Sequence, residues 1–203
     1  MVILGDYLDP YTSFEGITHE QAYDNFVELL KFVRDHKNQV IMLLGNHDLF
    51  YFDDNLECCR HDYKNYDAIS KLFKSNEDLF KFAHKEGDYL FTHAGVSDKW
   101  LLQNNLQELT IDQMVTYLNS NPTTLWQVGY ARGGRHRCGS PIWCCWSYEW
   151  SHKCDNPYNI TQCFSHTRQH KSNSPKSDPN RRLYMFDVLN CFLLENGEIT
   201  LLS

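Results

Sequence analysis

The sequence predicts an α/β fold with its working edge at the C-terminal ends of the strands, and three observations predict it. A capped amphipathic helix separates two short apolar runs near the start. Four apolar runs each stop in a loop that presents carboxylate, amide or imidazole groups. The chain closes on two further apolar runs joined by Asn196-Gly197, a strong type I′ hairpin signal.

Val2-Ile3-Leu4 reads as the first strand and runs into Gly5-Asp6-Tyr7-Leu8-Asp9. Thr18 and Gln21 then form a capping-box pattern for a helix reaching about His36. Ala22, Phe26, Leu29, Leu30 and Val33 fall on one face of it at helical spacing. The second strand, Val40-Ile41-Met42-Leu43-Leu44, ends in Gly45-Asn46-His47-Asp48. A strand–helix–strand unit crosses over right-handed, so the two strands are parallel and their loops share one sheet edge. Asp6, Asp9, Asn46 and His47 are therefore expected to converge.

Residues 50–65 are aromatic and charged and read as an irregular lid. Helices are predicted over 67–73 and 77–85, the second opened by Ser75 and Asp78. A strand at 89–92 delivers Thr92-His93-Ala94-Gly95. A short helix follows from Asp98, and another opens at Thr110 with Gln113 and stops before Pro122. Residues 123–158 are rich in Trp, Gly and Cys without a clean period, and read as an insertion packed over the site. Gln162-Cys163-Phe164 leads into Ser165-His166-Thr167. Residues 168–181 read as an exposed loop, and 182–187, 191–195 and 199–202 as strands. No repeat or linker divides the chain, so residues 1–203 are expected to form one domain.

The 203 residues are 42% hydrophobic and 14% aromatic, a composition that supports a buried core and excludes low-complexity disorder. A net charge of -7 argues against partners that need a basic face, namely a nucleic acid duplex or an anionic membrane. No apolar run approaches the roughly 20 residues that span a bilayer. The N-terminus shows no basic region followed by an apolar stretch, so a cytoplasmic location with reduced thiols is expected for its eight cysteines.

The strand-end residues define a chemistry. Asp6 can bridge two cations through its two oxygens, Asn46 offers a carbonyl oxygen, and His93 and His166 offer imidazole nitrogens. Such a set of N and O donors without thiolate suits Mn, Fe or Zn in a reactive site. Two such ions roughly 3.5–4 Å apart would activate a hydroxide for in-line attack on phosphorus. His47 is then the candidate general acid, with Asp9 or Asp48 fixing its ring. Cys138, Cys144, Cys145, His152 and Cys154 follow no paired CxxC spacing and read as buried thiols. Trp143, Trp146 and Trp150 read as core or lid packing.

In order, GDYLD, GNHD, THAG and SHT resemble the signatures of calcineurin-like metallophosphoesterases, a family that includes phosphoprotein phosphatases and diadenosine-tetraphosphate hydrolases. The resemblance implies a sandwich of two mixed β-sheets flanked by helices, with a dinuclear centre between the strand ends. It implies that Asp6 bridges two divalent metal ions while Asn46, His93 and His166 complete the second site. It implies His47 as the acid supported by Asp9, and Arg132-Gly133 as the nearest match to the family's phosphate-binding Arg-Gly pair. Two departures stand out. The family's opening Asp-x-His motif has no counterpart here, which implies that the family's first strand is missing, either through an N-terminally truncated or misassigned start or through a real loss, and that the first metal site is incomplete. Pro10 stands where the family often has arginine, leaving phosphate binding to Arg132. The expected activity is hydrolysis of a phosphomonoester, on a protein or small molecule, or of a nucleotide anhydride, through a metal-activated hydroxide. The alternative is a catalytically silent module of the same fold that acts as a binding protein.

Overall fold

The computed structural model describes residues 1–53, 56, 60–168, 174–187, 191–195 and 198–202. In chain order these residues form β1 (Val2–Ile3), α1 (Thr12–Glu15), α2 (His19–Asp35), β2 (Ile41–Leu43) and α3 (Asn46–Phe50). Next come α4 (Tyr66–Ser75), β3 (Phe80–Lys81), β4 (Ala83–Glu86), β5 (Tyr89–Thr92), α5 (Asp98–Asn104) and α6 (Ile111–Ser120). The C-terminal part adds β6 (Thr161–Phe164), β7 (Lys176–Asp178), β8 (Leu183–Met185), β9 (Cys191–Glu195) and β10 (Glu198–Leu202).

Two sheets carry the site. One has the order β1-β2-β3, and its three strands run parallel. The other has the order β4-β5-β6-β8-β7, with β5, β6 and β8 parallel and the edge strands β4 and β7 antiparallel. Parallel pairing sends the loops after β1 and β2 to one edge, and those after β5 and β6 to another, as the crossover argument requires. Strands β9 and β10 form a separate antiparallel ribbon. The expected turn at Asn196-Gly197 lies outside the described residues.

Helix α2 forms where its sequence dictates. Thr18 Oγ1 accepts the Gln21 backbone N–H, and Gln21 Oε1 accepts that of Thr18, closing the capping box. Ala22, Phe26, Leu30 and Val33 are buried along its inner face. Phe26 stacks on Tyr7 with centroids 5.2 Å apart and meets Phe73 of α4 at 4.8 Å. Full burial of such a ring contributes about 2–3 kcal/mol. The Tyr7 hydroxyl donates to Leu43 O at 2.6 Å, fastening the loop after β1 to the end of β2.

Residues 77–85 are not the helix that local propensity suggests. After one 3-10 turn at Glu77–Leu79 they become β3 and β4. Phe80 and Lys81 pair with Met42 and Leu43, while Ala83 to Glu86 pair with β5 across a turn at Gly87, where φ is +53°. The backbone N–H groups of Phe82 and Ala83, at the step between the two sheets, donate to Asn119 Oδ1. Pairing with two sheets outweighs helix propensity here. Residues 168–181 likewise contain structure the sequence did not announce, with β7 and a 3-10 turn at Pro179–Arg181.

Residues 123–158 are held by short turns, among them a π-helical turn at Trp146–Trp150. Trp150 is fully buried, stacks on Phe164 and donates from Nε1 to Ala94 O at 3.0 Å. Trp146 is also buried. Trp143 instead faces the cavity described below. Among the described residues, no helix is long and apolar enough to cross a membrane.

Candidate metal centre and phosphate site

The loops after β1 and β2 meet at very close range. Gly45 has no room for a side chain, because a Cβ there would overlap Asp6 Oδ1 and stand 2.7 Å from the His93 ring. Asp48, on the first turn of α3, accepts the backbone N–H groups of Gly45 (2.8 Å), Asp6 (2.7 Å) and Tyr7 (3.0 Å). It therefore knits both loops together and does not bond to His47. Burial, then the Asp6 charge, push its carboxyl up to about 7.

Asp6, His93 and His166 come together as the sequence predicts. Each offers a ligand atom, and these atoms all lie within 4.8 Å of one another. His93 Nδ1 stands 2.6 Å from Leu4 O, a contact that puts the proton on Nδ1 and leaves the Nε2 lone pair 3.3 Å from Asp6 Oδ2. Among the described residues, the buried atoms Asn46 Oδ1, His93 Nε2 and both ring nitrogens of His166 find no hydrogen-bond partner. Unpaired buried polar atoms are costly, and a carbonyl oxygen and imidazole lone pairs close to a carboxylate are what a cation site requires. The donor set therefore fits a divalent ion.

The electrostatics of the two imidazoles differ: burial lowers the His93 ring, but the Asp6 carboxylate outweighs it and raises it above the usual imidazole value, as an ion pair does. Burial raises the Asp6 carboxyl, but His93 and the imidazoles of His47 and His166 outweigh it and hold it below the usual range. Burial, reinforced by His93 and Arg132, drives His166 well below the usual imidazole value, so it is neutral and free to coordinate. Asp6, Asp9 and His166 also share positive φ values of 59°, 62° and 72°. Each costs roughly 1 kcal/mol or more for a residue with a Cβ, and such strain concentrates at functional sites.

His47 and Asp9 pair as predicted, with Nδ1 3.2 Å from Asp9 Oδ2 and 2.9 Å from Arg60 O. Asp9 is itself fixed by the Tyr51 hydroxyl at 2.6 Å and the Asp62 N–H at 3.1 Å. Arg132 lies in the same region, donating from Nη2 to Thr167 Oγ1 at 3.0 Å.

A cavity of about 800 Å³ opens over these groups and is lined by Asp6, Asn46, His47, Arg132 and His166. Sequence reasoning missed Arg60, Arg168, Tyr11 and Asp187, which line it too. The guanidinium of Arg60 sits 3.4 Å over the Tyr11 ring, and that of Arg168 4.9 Å from it. Arg168 also pairs with Glu15. Arg168 follows His166 by two positions in one strand-end loop, a signal that could have found it. Arg60 lies within the aromatic and charged stretch 50–65, where no spacing marks it.

Two sheets presenting Asp, Asn and His groups at adjoining strand ends define a metallophosphoesterase-type site. The chain belongs to the calcineurin-like phosphoesterase family, whose model matches residues 1–153. It is similar to the symmetrical bis(5'-nucleosyl)-tetraphosphatase of Haemophilus ducreyi, 26% identical over 131 residues, 51% of this chain and 48% of that protein. The Aliivibrio fischeri protein of that name is 33% identical over 82 residues, 36% of this chain and 30% of that one. The chain thus spans half or less of these relatives' length. In fold it resembles a cold-active protein-tyrosine phosphatase from a psychrophilic Shewanella, with TM-score 0.62, 18% identity and coverage of 98% of this chain and 65% of that one. A point mutant of a cold-active protein tyrosine phosphatase gives 0.63.

Proposed function

We propose that this chain hydrolyses a phosphate ester or anhydride, with a nucleoside polyphosphate as the favoured substrate. The observation that carries this reading is the convergence of Arg60, Arg132 and Arg168 on the cavity that Asp6, Asn46 and His166 line. Three guanidiniums bring positive charge to the cavity wall: Arg132 is placed to grip phosphate oxygens, while Arg60, which donates to Asp9 O and stands 3.3 Å from His47 Nε2, and Arg168, paired with Glu15, add to the potential. The names of the Haemophilus and Aliivibrio relatives point the same way.

In this reading Asp6, Asn46, His93 and His166 hold the metal, the family's usual complement being two divalent ions. Bound cations supply charge neutralisation at the phosphoryl group and activation of water. The protein's own groups do the rest. His47 carries the proton delivered to the leaving oxygen, while Asp9, anchored by Tyr51, keeps the ring oriented. Arg132, braced on Thr167, positions the phosphate. Residues 1–203 act as one domain, and the segment 123–158 walls the cavity through Val128, Arg132 and Trp143.

The test compares Mn-dependent hydrolysis of bis(5'-adenosyl) tetraphosphate and p-nitrophenyl phosphate by the parent, Asp6→Asn and His47→Ala. The reading expects Asp6→Asn to lose turnover of both substrates and His47→Ala to slow p-nitrophenyl phosphate less than an alkyl phosphate, with the dinucleotide the better substrate. Variants equal to the parent would overturn the site. Substrate binding without turnover in the parent would identify a silent module.

A further inference from the structure

The segment 123–158 contains a second cluster, chemically unlike the first. Cys138, Cys144 and Cys154 are all buried, and their Sγ atoms all lie within 4.8 Å of one another. Cys138 Sγ stands 3.3 Å from Cys154 Sγ. Ser97 Oγ, also buried, is 3.2 Å from Cys138 Sγ and caps the start of α5. From these groups we infer a thiolate site for a zinc-like divalent cation, bound by Cys138, Cys144 and Cys154 with Ser97 as an oxygen neighbour.

The local backbone is built to gather these sulfurs. Cys138 and Cys144 flank a tight turn in which the Trp143 and Cys144 N–H groups both donate to Ser140 O. Gly139 makes that turn feasible, since a Cβ there would stand 2.7 Å from the Trp143 carbonyl. Glu149 then clamps the turn, its carboxylate accepting the N–H groups of Gly139 (2.7 Å) and Cys145 (2.6 Å). The Cys154 N–H donates to Glu149 O at the end of the π-helical turn. Arg181 closes the far side by donating to the carbonyls of Trp150 and Cys154.

Three sulfurs in mutual reach are one more than a disulfide uses. Tetrahedral zinc with Zn–S bonds of about 2.3 Å places its sulfurs roughly 3.8 Å apart, within the span seen here. Soft thiolates select zinc-like ions, whereas the nitrogen and oxygen donors around Asp6 suit harder ones, so the two sites discriminate by chemistry. Three thiolates around a divalent ion leave one net negative charge, a smaller burden in a buried site than a monovalent ion would leave. Loading displaces three thiol protons to solvent. The segment has few long elements of its own, and a metal staple would fasten Arg132 and Trp143, which precede the first two cysteines, in the cavity wall.

The test uses the full chain, stripped with chelator under reducing conditions and titrated with Co²⁺. The expected result is a near-ultraviolet thiolate-to-cobalt charge-transfer band that the Asp6 site, having no sulfur, cannot produce. The band should persist in Asp6→Asn and disappear in Cys144→Ser. In parallel, Zn²⁺ should protect the three cysteines of the parent from iodoacetamide, a readout that needs no variant. Absence of the band together with equal alkylation in the presence and absence of Zn²⁺ would overturn the inference. So would an intact mass, taken on the chain as purified before any reductant is added, that is short by two hydrogens located to Cys138 and Cys154, which would mark a disulfide pair.

Discussion

The carboxylate of Asp48 accepts the backbone N–H of Asp6 at 2.7 Å, so the loop after β1 is held in place by a residue on the loop after β2. With the N–H groups of Gly45 and Tyr7 on the same carboxylate, three buried or half-buried donors depend on one side chain. Asp48→Ala should therefore cost about 3 kcal/mol of unfolding free energy in urea, since each orphaned donor is expensive. It should also weaken Mn²⁺ binding, because Asp6 would lose its fixed backbone.

His47 in the acid role makes a prediction about leaving groups. His47→Ala should lower kcat/KM by about 10²–10⁴ for alkyl phosphates, whose alkoxide needs a proton. It should lower it far less for p-nitrophenyl phosphate, whose phenolate leaves without one. Plotting rate against leaving-group pKa for parent and variant checks this; parallel lines would remove the acid assignment.

Arg132→Ala should remove one charge-assisted phosphate contact and raise KM by about 10- to 100-fold. Arg132→Lys should recover little, because an ammonium lacks the planar fork. Arg60→Ala should behave similarly toward a nucleoside tetraphosphate and more mildly toward a phosphomonoester.

A pH effect is expected far from the site. Asp78 accepts hydrogen bonds from Arg34 at 2.7 and 2.8 Å and from Lys37 at 2.8 Å, and Arg34 chiefly, then Lys37, hold its carboxyl below the ordinary value of 3.8. A lowered folded-state pKa means the unfolded chain binds the proton more tightly. The stabilising effect is thus present above pH 3.8 and is lost as pH falls below it. Unfolding curves of the parent and Asp78→Asn should differ at neutral pH in low salt and converge in acid.

Much of the site was legible because its residues sit directly after apolar runs. Asp6, Asn46, His93 and His166 each follow a strand, and the parallel crossover rule alone brings two of these loops to one edge. Thr18 with Gln21, and Thr110 with Gln113, announced α2 and α6 through their caps. What stayed hidden depends on tertiary pairing. Phe80 to Glu86 looks helical locally and becomes two short strands only because β2 and β5 offer partners. Arg60 reaches the cavity by packing on Tyr11, a contact no periodicity encodes. The Cys138, Cys144 and Cys154 cluster is assembled by an irregular turn and a π-helical turn, so its spacing matches no common motif.

The central proposition is that the Asp6 carboxylate, the Asn46 amide and the His93 and His166 imidazoles surround a cation. Anomalous diffraction from crystals grown with Mn²⁺ tests it most directly. The account predicts a manganese peak within coordination reach of Asp6, Asn46, His93 and His166, roughly 2–2.5 Å from the donor atoms. Manganese density located elsewhere, with these four side chains turned away from any ion, would contradict it.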